Sequence, residues 1–201
     1  MKEKQLRKGH ARKENEIKLE TLIPGINYRH MDTMGDEFLG LGTQKFWMDG
    51  NMLVVTMEDD SECLQTIENY SLPIRIEVTV MTDRKDIRLN YLMAQLIFNC
   101  GHTAPNPTKL DFIVTDVITE KSFFEEKPVI PPNKFVDISW IIEKEYMEAY
   151  VDGVLYYKNI DFQYINILKQ APDVSRISMP VRIGAGNGST ITVKSLKVTE
   201  L

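Results

Sequence analysis

Tyr146, Glu148 and Tyr150 alternate with Met147, Ala149 and Val151, so a strand at this point displays ring, carboxylate and ring on one side. Aromatic rings cover the apolar face of a sugar, and a carboxylate accepts from its hydroxyls. Arg75, Glu77 and Thr79 form a similar polar side opposite Ile74, Ile76, Val78 and Val80. Tyr91, Gln95 and Asn99 share a third if Ile87 to Asn99 is one long strand. Should these strands adjoin in one sheet, Arg75, Tyr91, Gln95, Asn99, Tyr146 and Tyr150 make a ligand-binding groove; the alternative is an ordinary solvated outer face. Breaking a glycosidic bond takes two carboxyl groups, about 5 Å apart for retention or about 6.5–9.5 Å apart for inversion. Glu77 and Glu148 are the acid and base candidates for such a reaction, with Asp111 as a third.

Other chemistries find little support. His10, His30 and His102 stand at no metal-ligand spacing, and two cysteines, Cys63 and Cys100, make neither a disulfide framework nor a cysteine zinc site. No metal or cofactor is expected. His102 lies in a Pro-rich loop without an identifiable partner. The acidic run Glu58-Asp59-Asp60-Ser61-Glu62 lacks the glycine and spacing of a calcium loop and reads as solvated. Gly184-Ala185-Gly186-Asn187-Gly188 lies between strands rather than before a helix, so it is a turn and not a phosphate cradle.

The elements that must position these residues are strands. Runs rich in Val, Ile, Thr, Phe and Tyr predict strands near Gln44–Trp47, Met52–Met57, Pro73–Thr82, Ile87–Asn99 and Lys109–Val117. Further runs follow near Phe135–Glu143, Tyr146–Val151, Val154–Tyr157, Met179–Gly184 and Thr190–Leu201. Asp49-Gly50, Asp152-Gly153 and Gly186-Asn187-Gly188 supply hairpin turns, and Gly101–Pro107 and Glu125–Asn133 read as loops. Phe162–Gln170 is the one helical candidate of the body, closed by Pro172. Ten strands without crossover helices imply an all-β, two-sheet antiparallel sandwich.

The 201 residues, 43% of them hydrophobic, suffice for one well-cored domain. Charge is uneven. Residues 1–18 carry seven basic and three acidic residues, a balance of +4, so a chain of net charge −5 leaves −9 for the rest. The expected organisation is a basic polar arm, tail or helix, over residues 1–20, and a single sandwich over 21–201. An acidic sandwich repels polyanions, so a nucleic-acid contact is expected only through the arm. No apolar run reaches the roughly 18 residues that span a bilayer, and the N-terminal segment is charged, so a cytoplasmic location without a membrane span is expected.

The C-terminal half carries a resemblance. Phe135-Val136-Asp137-Ile138-Ser139-Trp140-Ile141-Ile142, then Tyr150-Val151-Asp152-Gly153, Val181-Arg182-Ile183-Gly184 and the closing Ile191 to Glu200-Leu201 resemble the concanavalin A-like lectin/glucanase superfamily of jelly rolls. Phe46-Trp47-Met48-Asp49-Gly50 is similar to the opening hairpin of its 3-keto-disaccharide hydrolase branch, and the laminin G-like branch is the other near match. The resemblance implies a jelly roll that holds carbohydrate on one sheet. The glutamate, aspartate, glutamate strand motif of laminarinase-like members is absent, and Gln95–Gly101 stands where the hydrolase branch carries asparagine, serine and glycine. Trp140 is in phase with Val136, Ile138 and Ile142, which makes it a core residue. The leading expectation is a carbohydrate-binding, lectin-like domain. Its alternatives are a glycoside hydrolase and a noncatalytic protein-interaction module; oligomeric state is left open.

Overall fold

The structure is a computed structural model, and it describes residues 14–26, 45–57, 62–84, 86–92, 94–101, 108–116, 121–160, 178–186 and 188–201. In chain order the strands are β1 (Glu14–Glu16), β2 (Ile23–Ile26), β3 (Lys45–Asp49), β4 (Met52–Thr56), β5 (Glu62–Gln65) and β6 (Tyr70–Ser71). They continue with β7 (Ile74–Thr82), β8 (Ile87–Tyr91), β9 (Ala94–Cys100), β10 (Lys109–Asp116), β11 (Lys121–Pro128) and β12 (Val136–Ile142). The last are β13 (Met147–Val151), β14 (Val154–Asn159), β15 (Ser178–Met179), β16 (Arg182–Ala185) and β17 (Thr190–Glu200). Sheet 1 runs β14-β13-β12-β7-β17-β4-β3, with β1 added beside β17. Sheet 2 runs β11-β10-β9-β8-β16-β5-β2, and β6 pairs with β15. All the described pairings are antiparallel. This is the all-β, two-sheet sandwich expected.

Alternation dictates which way each strand faces. Along β7, Ile74, Ile76, Val78 and Val80 are buried while Arg75, Glu77, Thr79 and Met81 are half-exposed. β12 and β13 repeat the pattern, so the inner faces of the three strands form one apolar surface. Sheet 2 contributes Leu89, Tyr91, Leu96, Phe98, Phe112 and Ile183 to the same core. The register between β13 and β14 slips at Ala149/Tyr150, which leaves Tyr156 as an extra residue on β14. Tyr156 and Tyr157 both reach Phe112, with ring centroids 6.2 Å and 5.6 Å away, and Phe112 lies 4.9 Å from Phe98. This aromatic cluster ties the edge of sheet 1 to sheet 2.

Four local features differ from expectation. The stretch Ile87–Asn99 is a hairpin rather than one strand, turning at Leu92 with φ 49°. Pro-rich Glu125–Asn133 begins as an edge strand, β11, which tolerates Pro128 because an edge N–H has no ladder to serve. Glu14–Glu16, inside the polar arm, pairs with Lys197–Thr199, and the segment is anchored by Leu19 and Leu22 in the core. The closing part of that arm is therefore a strand of sheet 1. β2, β5 and β6 were also absent from the expected strands. The expected helix over 162–170, His102 and acidic positions 58–61 lie outside the described residues, as do residues 1–13.

Candidate functional site

On the outer face of sheet 1 the register brings together Arg75, Tyr146 and Tyr150, half of the residues expected to bind a ligand, with Glu77 and Glu148. Glu77 sits opposite Ser139, which sits opposite Tyr150; Arg75 sits opposite Ile141, which sits opposite Glu148. A shallow groove there is lined by Arg75, Glu77, Asp137, Tyr150, Ser195 and Lys197. Two strand spacings and two residues separate Glu77 on β7 from Glu148 on β13, about 12 Å between Cα atoms. Glu148 is also engaged. Its carboxylate accepts from Lys158 Nζ at 2.6 Å and from Tyr150 Oη at 2.7 Å, and the Lys158 ammonium lies 5.4 Å from the centre of the Tyr146 ring.

The hydrogen bonds from Lys158 and then from Tyr150 hold the Glu148 carboxyl below the ordinary carboxylate range, against a smaller opposing effect of burial. A depressed folded value means that the contribution of this group to stability is present at neutral pH and is lost as the pH falls through that value. At neutral pH Glu148 is ionised and is no proton donor. Tyr150 and Lys158 thus occupy the Glu148 carboxylate, and the Lys158 ammonium faces the Tyr146 ring.

The expected face of Tyr91, Gln95 and Asn99 is not formed, because the hairpin divides it. Tyr91 points into the core, fully buried, and its hydroxyl donates to the carbonyl of Tyr70 at 2.6 Å. Asn99 takes φ 60° where the β9–β10 register slips, a conformation that asparagine tolerates. Its amide clamps the Ile130 main chain, Nδ2 donating to O at 2.6 Å and Oδ1 accepting from N at 2.8 Å. Both side chains are structural. Gln95 alone of the three faces outward, on sheet 2, as does Asp111; neither can meet Glu77 or Glu148 across the sandwich.

The side of sheet 2 turned away from the core is the more unusual one, because its central residues are polar and yet buried. Ile87, Leu89 and Tyr91 fill the core, so Arg88 and Asn90 must project outward. Gln65, Arg182, Asn90 and Gln95 are successive cross-strand partners on β5, β16, β8 and β9 and form one polar row. Gly184, Arg88, Ile97 and Ile113 form the next, which ends at Phe124 on β11, 51% exposed. Arg182 Nε donates to Gln65 Oε1 at 3.0 Å. Gly25 makes room for that acceptor, since a Cβ there would stand 2.7 Å from Gln65 Oε1. Arg88 pairs with Asp86 at 2.9 Å, both largely buried.

Asn90 and Gln95 are each 1% exposed, and neither the oxygen nor the nitrogen of either amide has a hydrogen-bond partner. Leaving a buried polar group unpaired costs on the order of 1–3 kcal/mol. Two adjacent amides, each with a donor and an acceptor to offer, are the chemistry that meets sugar hydroxyls. Along β10 from this row, buried Asp111 stands opposite exposed Glu126 on β11, two residues from Phe124 on the same side of that strand. Directly opposed residues in an antiparallel pair have Cβ atoms about 4.5–5.5 Å apart.

Of the residues on this side of sheet 2, Gln95 and Asp111 are among those the sequence offered as candidates; Gln65, Arg88, Asn90, Phe124, Glu126 and Arg182 are not. The alternation of Arg88 and Asn90 with Ile87, Leu89 and Tyr91 is the signal that could have found two of them.

No family model and no curated protein sequence matches the chain. Solved structures do. The catalytic domain of an endo-1,3-β-glucanase (laminarinase) from Thermotoga petrophila RKU-1 superposes with a TM-score of 0.56 at 12% identity, covering 92% of this chain and 94% of that one. A glycoside hydrolase family 16 endo-glucanase from Bacteroides ovatus gives 0.54 at 6% identity over 92% and 98% of the two chains. The endo-β-1,3-glucanase of Pyrococcus furiosus gives 0.52 at 12% identity over 94% and 90%. At such identities the likeness is one of fold. Two antiparallel sheets sharing one core, and superposition over nearly the whole of each glucanase, show that the chain has the concanavalin A-like jelly-roll fold.

Proposed function

We propose that the protein acts on a glycan laid across the outer face of sheet 2. The observation that carries this reading is the buried, unpaired pair of amides at Asn90 and Gln95, within a polar row that also contains Arg182 and Gln65. Hydroxyls of the sugar would satisfy the amides, while Phe124 and Ile113 would meet its C–H face. The fold neighbours include endo-glucanases, which favours hydrolysis over binding alone. The carboxyl pair that this face offers for hydrolysis is Asp111 with Glu126. One would protonate the glycosidic oxygen and the other would attack the anomeric carbon, the arrangement of a retaining enzyme.

Calorimetric titration with oligosaccharides of β-1,3-glucan, β-1,3-1,4-glucan and mucin O-glycans tests the binding face. Asn90→Ala combined with Gln95→Ala is expected to weaken binding at least about 10-fold, the loss of one or two net hydrogen bonds, whereas Tyr150→Ala leaves it unchanged. Loss of binding in Tyr150→Ala with full retention in the double variant would move the site to sheet 1.

A further inference from the structure

Among the described residues the two sheets have four edge strands, and three of them are blunted against pairing with another chain. β2 contains Pro24; β11 ends on Pro128 and carries Lys121, Glu125, Glu126 and Lys127; β14 carries Lys158 and the register slip at Tyr156. β3 has neither proline nor slip, and its five residues Lys45, Phe46, Trp47, Met48 and Asp49 are all exposed. Phe46 and Met48 stand opposite Val55 and Leu53, whose side chains enter the core, so they point to the inner side of sheet 1. They nevertheless remain 43% and 38% exposed, and Trp47 on the outer side 51%. Sheet 1 thus extends one strand beyond its own core.

The strand is also complementary to itself. Run antiparallel to a second copy about Trp47, it places Phe46 opposite Met48, Trp47 opposite Trp47, and Lys45 of each copy opposite Asp49 of the other. The main chain agrees. Asp49 and Met52 flank the two-residue loop Gly50-Asn51, with Gly50 at φ 61°, and the pair that closes such a loop exchanges both its hydrogen bonds. By alternation Trp47 and Lys45 also turn their N–H and C=O groups toward β4, and Phe46 and Met48 turn theirs to the open edge. A second β3 would therefore receive bonds at the two positions that place Phe46 against Met48.

From this edge we propose that the protein forms a symmetric dimer by antiparallel β3–β3 pairing, which joins the two copies of sheet 1 into one continuous sheet and covers Phe46 and Met48 of both. Like charges opposed at the four ends are the sharpest probe. Asp49→Lys sets Lys against Lys twice, Lys45→Asp sets Asp against Asp twice, and the two together restore opposite pairs in reversed order.

Sedimentation velocity of the full chain over a dilution series reads the result, with circular dichroism reporting whether each variant is folded. The wild-type chain is expected to sediment as a dimer that dissociates on dilution. Each single reversal should raise the dissociation constant about 10-fold or more, and the double reversal should bring it back. Trp47 gives a second readout, because the only other tryptophan, Trp140, is fully buried: emission should shift to the red as the dimer dissociates. A chain monomeric at every concentration, or a dimer indifferent to both single reversals, would overturn the proposal. A folded double reversal that stays monomeric would refute this register.

Discussion

Asp111→Asn and Glu126→Gln are each expected to lower glycan hydrolysis about 10²–10⁴-fold, the usual worth of a positioned proton donor or acceptor. The two carboxyl groups belong to directly opposed residues of β10 and β11, and that opposition sets a Cβ spacing of about 4.5–5.5 Å. From that spacing the Asp111 and Glu126 side chains can bring their carboxyl groups to the about 5–5.5 Å that retention requires, with a covalent glycosyl-enzyme between two displacements. The pair can be resolved into roles. An aryl glycoside with an acidic leaving group needs no proton to depart, so the variant lacking the proton donor should keep most of its activity toward that substrate. The variant lacking the nucleophile should not. Reducing-end release by purified wild-type and variant chains is the measurement. Near-wild-type rates in either variant would remove that residue from the chemistry, and a wild-type chain that binds glycans without cleaving them would leave binding as its activity.

Trp140→Ala should destabilise the fold by about 3–5 kcal/mol, a fall in Tm of roughly 6–20 °C for a chain of this length. The ring is completely buried in β12, between Ile76 on β7 and Ala149 on β13. The small Ala149 leaves space for the indole in the layer where the central strands of sheet 1 meet sheet 2, and truncation opens a cavity that neighbours held in a sheet ladder cannot close. Trp140→Phe should cost distinctly less. The indole Nε1 is buried without a hydrogen-bond partner, so phenylalanine loses ring volume but also removes an unpaired donor. Thermal and urea unfolding of the two variants separates these contributions; a loss below about 1.5 kcal/mol for Trp140→Ala would contradict close packing at this position.

Strand identity was readable wherever one face is buried and the other is wet. β7, β12 and β13 announce themselves by alternation, and Asp152-Gly153 by its turn chemistry, with φ of 48° and 75° at the two residues. The β8–β9 hairpin was not readable, because its turn uses Leu92 at φ 49°, a conformation held by the surrounding structure rather than favoured by the residue. β1 was hidden because its side chains lack an apolar pattern and its pairing depends on Lys197–Thr199 at the far end of the chain.

The same distinction divides the candidate site. Gln95 and Asp111 were visible as polar residues within apolar strands. What makes Asn90 and Gln95 a candidate site is the company of Arg182 and Gln65, and that follows from β16 lying between β8 and β5. Local periodicity carries no information about such long-range neighbours. On sheet 1 the reverse holds. The polar residues there were found correctly as a shared face, but their affinity for one another, Lys158 and Tyr150 on Glu148, depends on a cross-strand register that the sequence does not display.

Where a sugar sits decides between the two sheets. Side-chain amide signals in a ¹⁵N-edited NMR spectrum, followed as a β-1,3-glucan oligosaccharide is added, answer this most directly. The Asn90 and Gln95 NH₂ pairs should shift with saturation at a common dissociation constant, while the ring signals of Tyr146 and Tyr150 in the matching ¹³C-edited spectrum stay in place. Shifts at those tyrosines with unmoved Asn90 and Gln95 amides would contradict the assignment of the glycan site to sheet 2.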